Sequence, residues 1–72
     1  MVEVRAEMVA GVGEVVVREG DTVAEGDTLV ILESMKMEIP VLVEEGEGGV
    51  VTQIRVAPGD VIKAGDLIAV IE

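Results

Sequence analysis

Hydrophobic and polar residues alternate strictly at the start of the chain. Val2, Val4, Ala6 and Met8 fall on one face and Glu3, Arg5 and Glu7 on the other. A period of two marks a half-buried strand, so a strand is predicted over Val2–Met8. Val9–Gly13, with its two glycines, reads as a turn. Glu14–Arg18, built on Val15-Val16-Val17, reads as a second strand. Thr28–Leu32 is a continuous aliphatic strand, Met37–Val43 another, Val50–Val56 another, and Leu67–Ile71 the last. Val23 and Val61-Ile62 are short apolar anchors between turns. Pro40 cannot donate to a ladder, which predicts an edge position for its strand. Glu44–Gly49 is the most polar segment and reads as an exposed loop.

The turns expose an internal repeat. A shift of 39 residues carries Gly20, Asp21, Gly26 and Asp27 onto Gly59, Asp60, Gly65 and Asp66. The same shift carries Val15 onto Ile54, Val23 onto Ile62, Leu29 onto Ile68 and Ile31 onto Val70, with no gap. Glycine supplies positive φ and aspartate bonds its own backbone locally, so each pair is a turn signal. Two like halves of short strands predict a pseudo-twofold structure of two small antiparallel sheets around one aliphatic core. The image of Lys36 under this shift lies just beyond Glu72. The Lys36 turn and the chain end therefore hold equivalent places, and a twofold sets them at opposite ends.

Composition narrows the function. Seventy-two residues make one domain, 1–72, with a small core. There is no cysteine or histidine, so no disulfide framework forms and the usual zinc ligands are missing. Valine, isoleucine and nine glycines, with no aromatic residue, point to an all-β fold of short strands. A net charge of −10 sets the chain against nucleic acid, whose binding rests on phosphate neutralisation and aromatic stacking. Anionic membrane surfaces are disfavoured likewise, and no apolar run approaches the roughly 20 residues that span a bilayer. The start has no basic region followed by an apolar core, so no secretory signal is predicted and the cytoplasm is the expected location. The Gly-Asp turns offer single carboxylates six apart, too few to converge on calcium. The acidic surface serves solubility and suits basic faces on partners.

Five residues are basic, and one of them stands mid-chain in Glu33-Ser34-Met35-Lys36-Met37-Glu38. A lysine in a turn is, taken alone, an ordinary solvated side chain. Here it lies between two methionines and two acids, with strand-like sequence on both sides. No second cation, histidine or cysteine stands by to activate the amine, so its chemistry is that of a substrate. What the protein must supply is geometry: a tight two-residue β-hairpin from which the amine protrudes. Glu33, Met35, Met37 and Glu38 then form the local recognition surface, with at least one methionine partly exposed. Exposed methionine is a soft contact for several partners.

Glu33-Ser34-Met35-Lys36-Met37 resembles the biotin-acceptor motif of biotin carboxyl carrier domains, usually Glu-Ala-Met-Lys-Met. With the repeated Gly-Asp turns, the whole chain resembles the biotinyl/lipoyl attachment family, and most closely the short stand-alone biotinyl proteins of actinobacteria. The resemblance implies a flattened barrel (barrel-sandwich hybrid) of two four-stranded sheets. It implies that Lys36 is amide-linked to biotin by a biotin protein ligase and shuttles carboxybiotin between a biotin carboxylase and a carboxyltransferase. The chain would then be a carrier rather than an enzyme. Two positions depart from the family pattern: Ser34 replaces alanine, and Ala10 stands where the second half has Gly49. A lipoate carrier and an unmodified interaction module are the alternatives. Lipoyl domains usually have Asp before the lysine and Ala after it, so the methionines favour biotin. Lys63 lacks such flanks and is expected to stay unmodified.

Overall fold

The computed structural model describes residues 1–72. Eight strands run in the order β1 (Val2–Arg5), β2 (Ala10–Val15), β3 (Thr22–Val23), β4 (Thr28–Ser34), β5 (Met37–Leu42), β6 (Gly49–Ile54), β7 (Val61–Ile62) and β8 (Leu67–Ile71). They form two four-stranded antiparallel sheets, β5-β4-β2-β7 and β1-β8-β6-β3. The flattened all-β barrel implied by the sequence is what forms. Thirteen buried aliphatic residues make one core between the sheets, with Leu29, Val30, Val51, Ile68 and Ile71 sealed at its centre. The 39-residue shift superposes β2 on β6, β3 on β7 and β4 on β8. The remaining pair, β5 and β1, lies outside the linear repeat. β5 flanks β4 as β1 flanks β8, with Leu32 opposite Ile39 and Ile71 opposite Val2.

The chain changes sheet at every connection except the one between β4 and β5. Four of the crossings are the Gly-Asp turns. Gly20, Gly26, Gly59 and Gly65 all adopt positive φ, between 86° and 98°. Each following aspartate accepts a hydrogen bond at Oδ2 from the backbone N–H three residues earlier: Arg18, Ala24, Ala57 and Lys63. Each turn also brackets one residue elsewhere with two backbone bonds. Gly20 and Asp21 bracket Val51, and Gly59 and Asp60 bracket Val12. Gly26 and Asp27 bracket Val43, and Gly65 and Asp66 bracket Ala6. Every one of these bonds is 2.7–2.9 Å long.

The structure corrects several predicted boundaries. Val9–Gly13 is not a turn: Ala10 begins β2, which ends at Val15, leaving Val16–Arg18 as the crossing. Glycines 11 and 13 misled because they occupy the outward face of a strand whose inward residues, Ala10 and Val12, are buried. The ladder to β4 bulges between Val12 and Glu14. β1 stops at Arg5, because the bracket on Ala6 pulls the chain toward Gly65 and leaves Met8 exposed. Gly49 opens β6 rather than closing the loop before it, and β6 ends at Ile54 rather than Val56. β5 is an edge strand, as Pro40 requires.

The Ala10–Gly49 difference has a steric origin. A Cβ on Gly49 would lie 2.5 Å from the Glu72 carbonyl oxygen. Ala10 instead fills part of the core beside Ile62. Gly49→Ala is therefore expected to destabilise the fold by about 1–3 kcal/mol through overpacking against backbone. Gly11→Ala, with nothing nearer than 3.8 Å, should stay within about 0.5 kcal/mol of the parent. Urea unfolding followed by far-ultraviolet circular dichroism compares the two, and equal effects would contradict the packing account.

Candidate functional site

The β4–β5 hairpin rests on Leu29, Val30 and Leu32, which are buried, and on Ile39 and Val41, which pack against the core. Ser34 opposite Met37 is the last pair of its ladder, so Met35 and Lys36 form a two-residue loop. Their φ angles are 51° and 66°. Positive φ at both central residues is the type I′ turn, whose twist matches that of the flanking strands. That turn normally uses Asn-Gly. A side chain with a Cβ is held there at a cost on the order of 1–2 kcal/mol per residue. Met35 and Lys36 are the only non-glycine residues of the chain with positive φ.

The strained loop projects two side chains. Met35 is 91% exposed and Met37, just inside the loop, 63%. Lys36 is also exposed, and its amine makes no hydrogen bond or ion pair; the one ion pair in the structure joins Arg5 to Glu3. Glu33 lies directly opposite Glu38. Like charges facing one another across a ladder oppose pairing. The Glu33 side chain turns over β2, where a Cβ on Gly13 would come within 2.6 Å of its Oε1. Gly13 thus makes room for a carboxylate near the lysine, a role concealed by its turn-like signature in the sequence. All five residues singled out from the sequence, Glu33, Met35, Lys36, Met37 and Glu38, meet at this one hairpin end.

Strand pairing locates that end in the molecule. Glu33 pairs with Gly11 and Gly11 with Val61, so the tip shares its end with β7 and the Lys63–Asp66 turn. The other end holds Thr22 opposite Val50, Val51 opposite Ile71, and Ile71 opposite Val2. The termini and the Lys36 tip therefore occupy opposite ends of a body 31 Å long and 19 Å across, as the repeat predicts. Lys63 is exposed at the same end as Lys36, but its turn leaves the positive φ to Gly65. The three main grooves are lined by residues outside the tip. No group of three or more acidic side chains is placed to hold a metal ion. The site is convex, with a free amine and no residue set to act on a substrate of its own.

A family described as biotin-requiring enzyme matches residues 2–71. A biotinylated protein TB7.3 homolog of Mycobacterium leprae is 65% identical over 69 residues, covering 96% of this chain and 94% of the relative. The urea carboxylase of Kluyveromyces lactis contains a region of the same fold, with TM-score 0.89 and 35% identity over 99% of this chain. A single-chain, multi-domain long-chain acyl-CoA carboxylase contains another, with TM-score 0.83 and 31% identity over 94% of this chain. This chain spans only 6% and 7% of those two large proteins.

The left-handed loop carries its own test. Replacing Met35 and Lys36 together by Asn and Gly is expected to raise stability by about 1 kcal/mol, since the strain disappears. A urea midpoint that stays put or falls would show that the loop is not strained.

Proposed function

The chain belongs to the family of biotin-requiring enzymes, and from that membership we propose that Lys36 is the residue to which biotin is attached. The protein is a biotin carrier with covalently held biotin, a carboxylase component that is not itself a catalyst. The observation that supports Lys36 is its exposed, unpartnered amine, held at the tip of a left-handed two-residue loop. Residues 1–72 act as one attachment unit in this reading.

The residues present suit such an attachment. An amide bond between Lys36 Nζ and the biotin carboxyl needs an amine free of competing contacts, and Lys36 has none. A biotin protein ligase is the proposed loading enzyme, reading the loop through Met35 and Met37 and the strands behind it through Glu33 and Glu38. Bound biotin supplies a ring nitrogen that carries a carboxyl group. The chain contributes the rest: a rigid base, a fixed direction for the arm, and a methionine surface that adapts to unlike active sites. Those active sites are proposed to be a biotin carboxylase and a carboxyltransferase, and the proposed location is the cytoplasm. No helix of the structure is long and apolar enough to cross a membrane.

Intact-mass measurement after co-expression with a biotin protein ligase tests the assignment. One biotin adduct is expected, lost in Lys36→Ala and kept in Lys63→Ala. The folded, unmodified parent chain would refute it, as would an adduct that survives Lys36→Ala. A lipoyl adduct in its place would move the assignment to the lipoate carriers.

A further inference from the structure

The two sheets leave one flank open. β1 and β5 are the outer edges of their sheets and face each other across a groove of about 850 Å3. Its floor is apolar: Val4, Ile39 and Val41 are half-buried there, above the buried Ala6, Leu32 and Val43. Its rim is acidic, with Glu3, Glu7, Glu44, Glu45 and Glu47. The one cation in the lining, Arg5, is already engaged, bonding Glu3 at 3.1 Å and the Gly65 carbonyl at 2.9 Å. Five carboxylates against one occupied guanidinium give the groove a strong negative potential above an apolar floor.

We propose that this flank is a docking groove for an extended, basic peptide segment of a partner protein, one that alternates aliphatic residues with lysine or arginine. Three features define the occupant. An extended strand places every second side chain on the floor and the others toward the rim. An apolar floor takes the aliphatic set, and the carboxylate rim takes the cations. Both walls are strand edges, whose unpaired backbone groups accept an added strand. Pro40 removes a donor from the β5 wall, so the added strand pairs along β1. Charge rules out the other occupants: a second copy of this chain carries −10, and nucleic acids and anionic membranes are repelled in the same way.

The groove lies on the flank, along β1 and β5, while the Lys36 loop caps one end. Docking there holds the body while leaving the tip free to visit an active site. The proposal therefore stands apart from the assignment of Lys36 and is tested without it.

The test is a titration of the 15N-labelled chain with a synthetic ten-residue peptide of alternating lysine and valine, followed by backbone amide shifts. Saturable shifts are expected in Val2–Ala6 and Ile39–Val43, with affinity falling severalfold as salt rises to about 0.3 M. Glu44→Gln, Glu45→Gln and Glu47→Gln combined should weaken binding about tenfold with the spectrum otherwise unchanged, since these side chains make no hydrogen bond. A peptide in which serine replaces valine should bind at least tenfold more weakly. The Lys36→Arg chain should bind like the parent. Equal binding of the serine peptide, shifts confined to Glu44–Gly48, or shifts scattered over the whole surface would each overturn the proposal. So would self-association of the chain through the same strands in sedimentation.

Discussion

The structure depends on how the chain is fastened each time it passes between sheets. Four crossings carry a Gly-Asp turn, and each turn does two things. The aspartate carboxylate closes its own turn. The two backbone N–H and C=O groups then bracket a residue on another strand. A neutral hydrogen bond contributes about 0.5–1.5 kcal/mol net, and one to a carboxylate more. Leaving such groups unpaired costs more still. For a 72-residue chain with no disulfide and an aliphatic core of 13 buried residues, this fastening replaces the staples on which small scaffolds usually rely. It also explains the spare use of side-chain polar contacts: the aspartates serve backbone, and a single ion pair lies on the surface.

With the crossings fixed, one connection alone stays within a sheet, and it is the β4–β5 hairpin. Its strands are longer than the β3 and β7 strands between crossings. Its loop is short enough that Met35 and Lys36 must take left-handed backbone. Rigidity below and freedom above are both needed in a carrier. The strands hold the loop, while the lysine side chain, without partners, keeps its rotamers. The termini lie at the far end, so a body anchored there extends the reach of the amine by the domain's 31 Å length.

Much of this was legible from the residues. The repeat located the Gly-Asp turns, and Pro40 marked the edge. The Glu33–Glu38 stretch marked the hairpin, and the repeat set its tip at the end opposite the chain's close. What stayed hidden was hidden for physical reasons. Glycines 11 and 13 carry the composition of a turn, yet they sit in a strand, on the face opposite the buried Ala10 and Val12, and Gly13 leaves space there for the Glu33 side chain. The alternation through Met8 is continuous in sequence, but the bracket on Ala6 ends the ladder at Arg5. Positive φ at a methionine and a lysine has no signature in residue type. The equivalence of β1 with β5 escapes a linear shift because the second half is completed by a strand from the beginning of the chain.

The short strands β3 and β7 are exchanged: each belongs to one half of the repeat and pairs in the sheet of the other. Neither half closes its own sheet, so pairing across the halves joins the two into one body. β4, which carries the loop, is paired on both sides, with β5 and with β2, and β2 is in turn seated against β7 from the far half. The left-handed loop at one end of the body is thus tied, strand by strand, to residues from both halves of the chain.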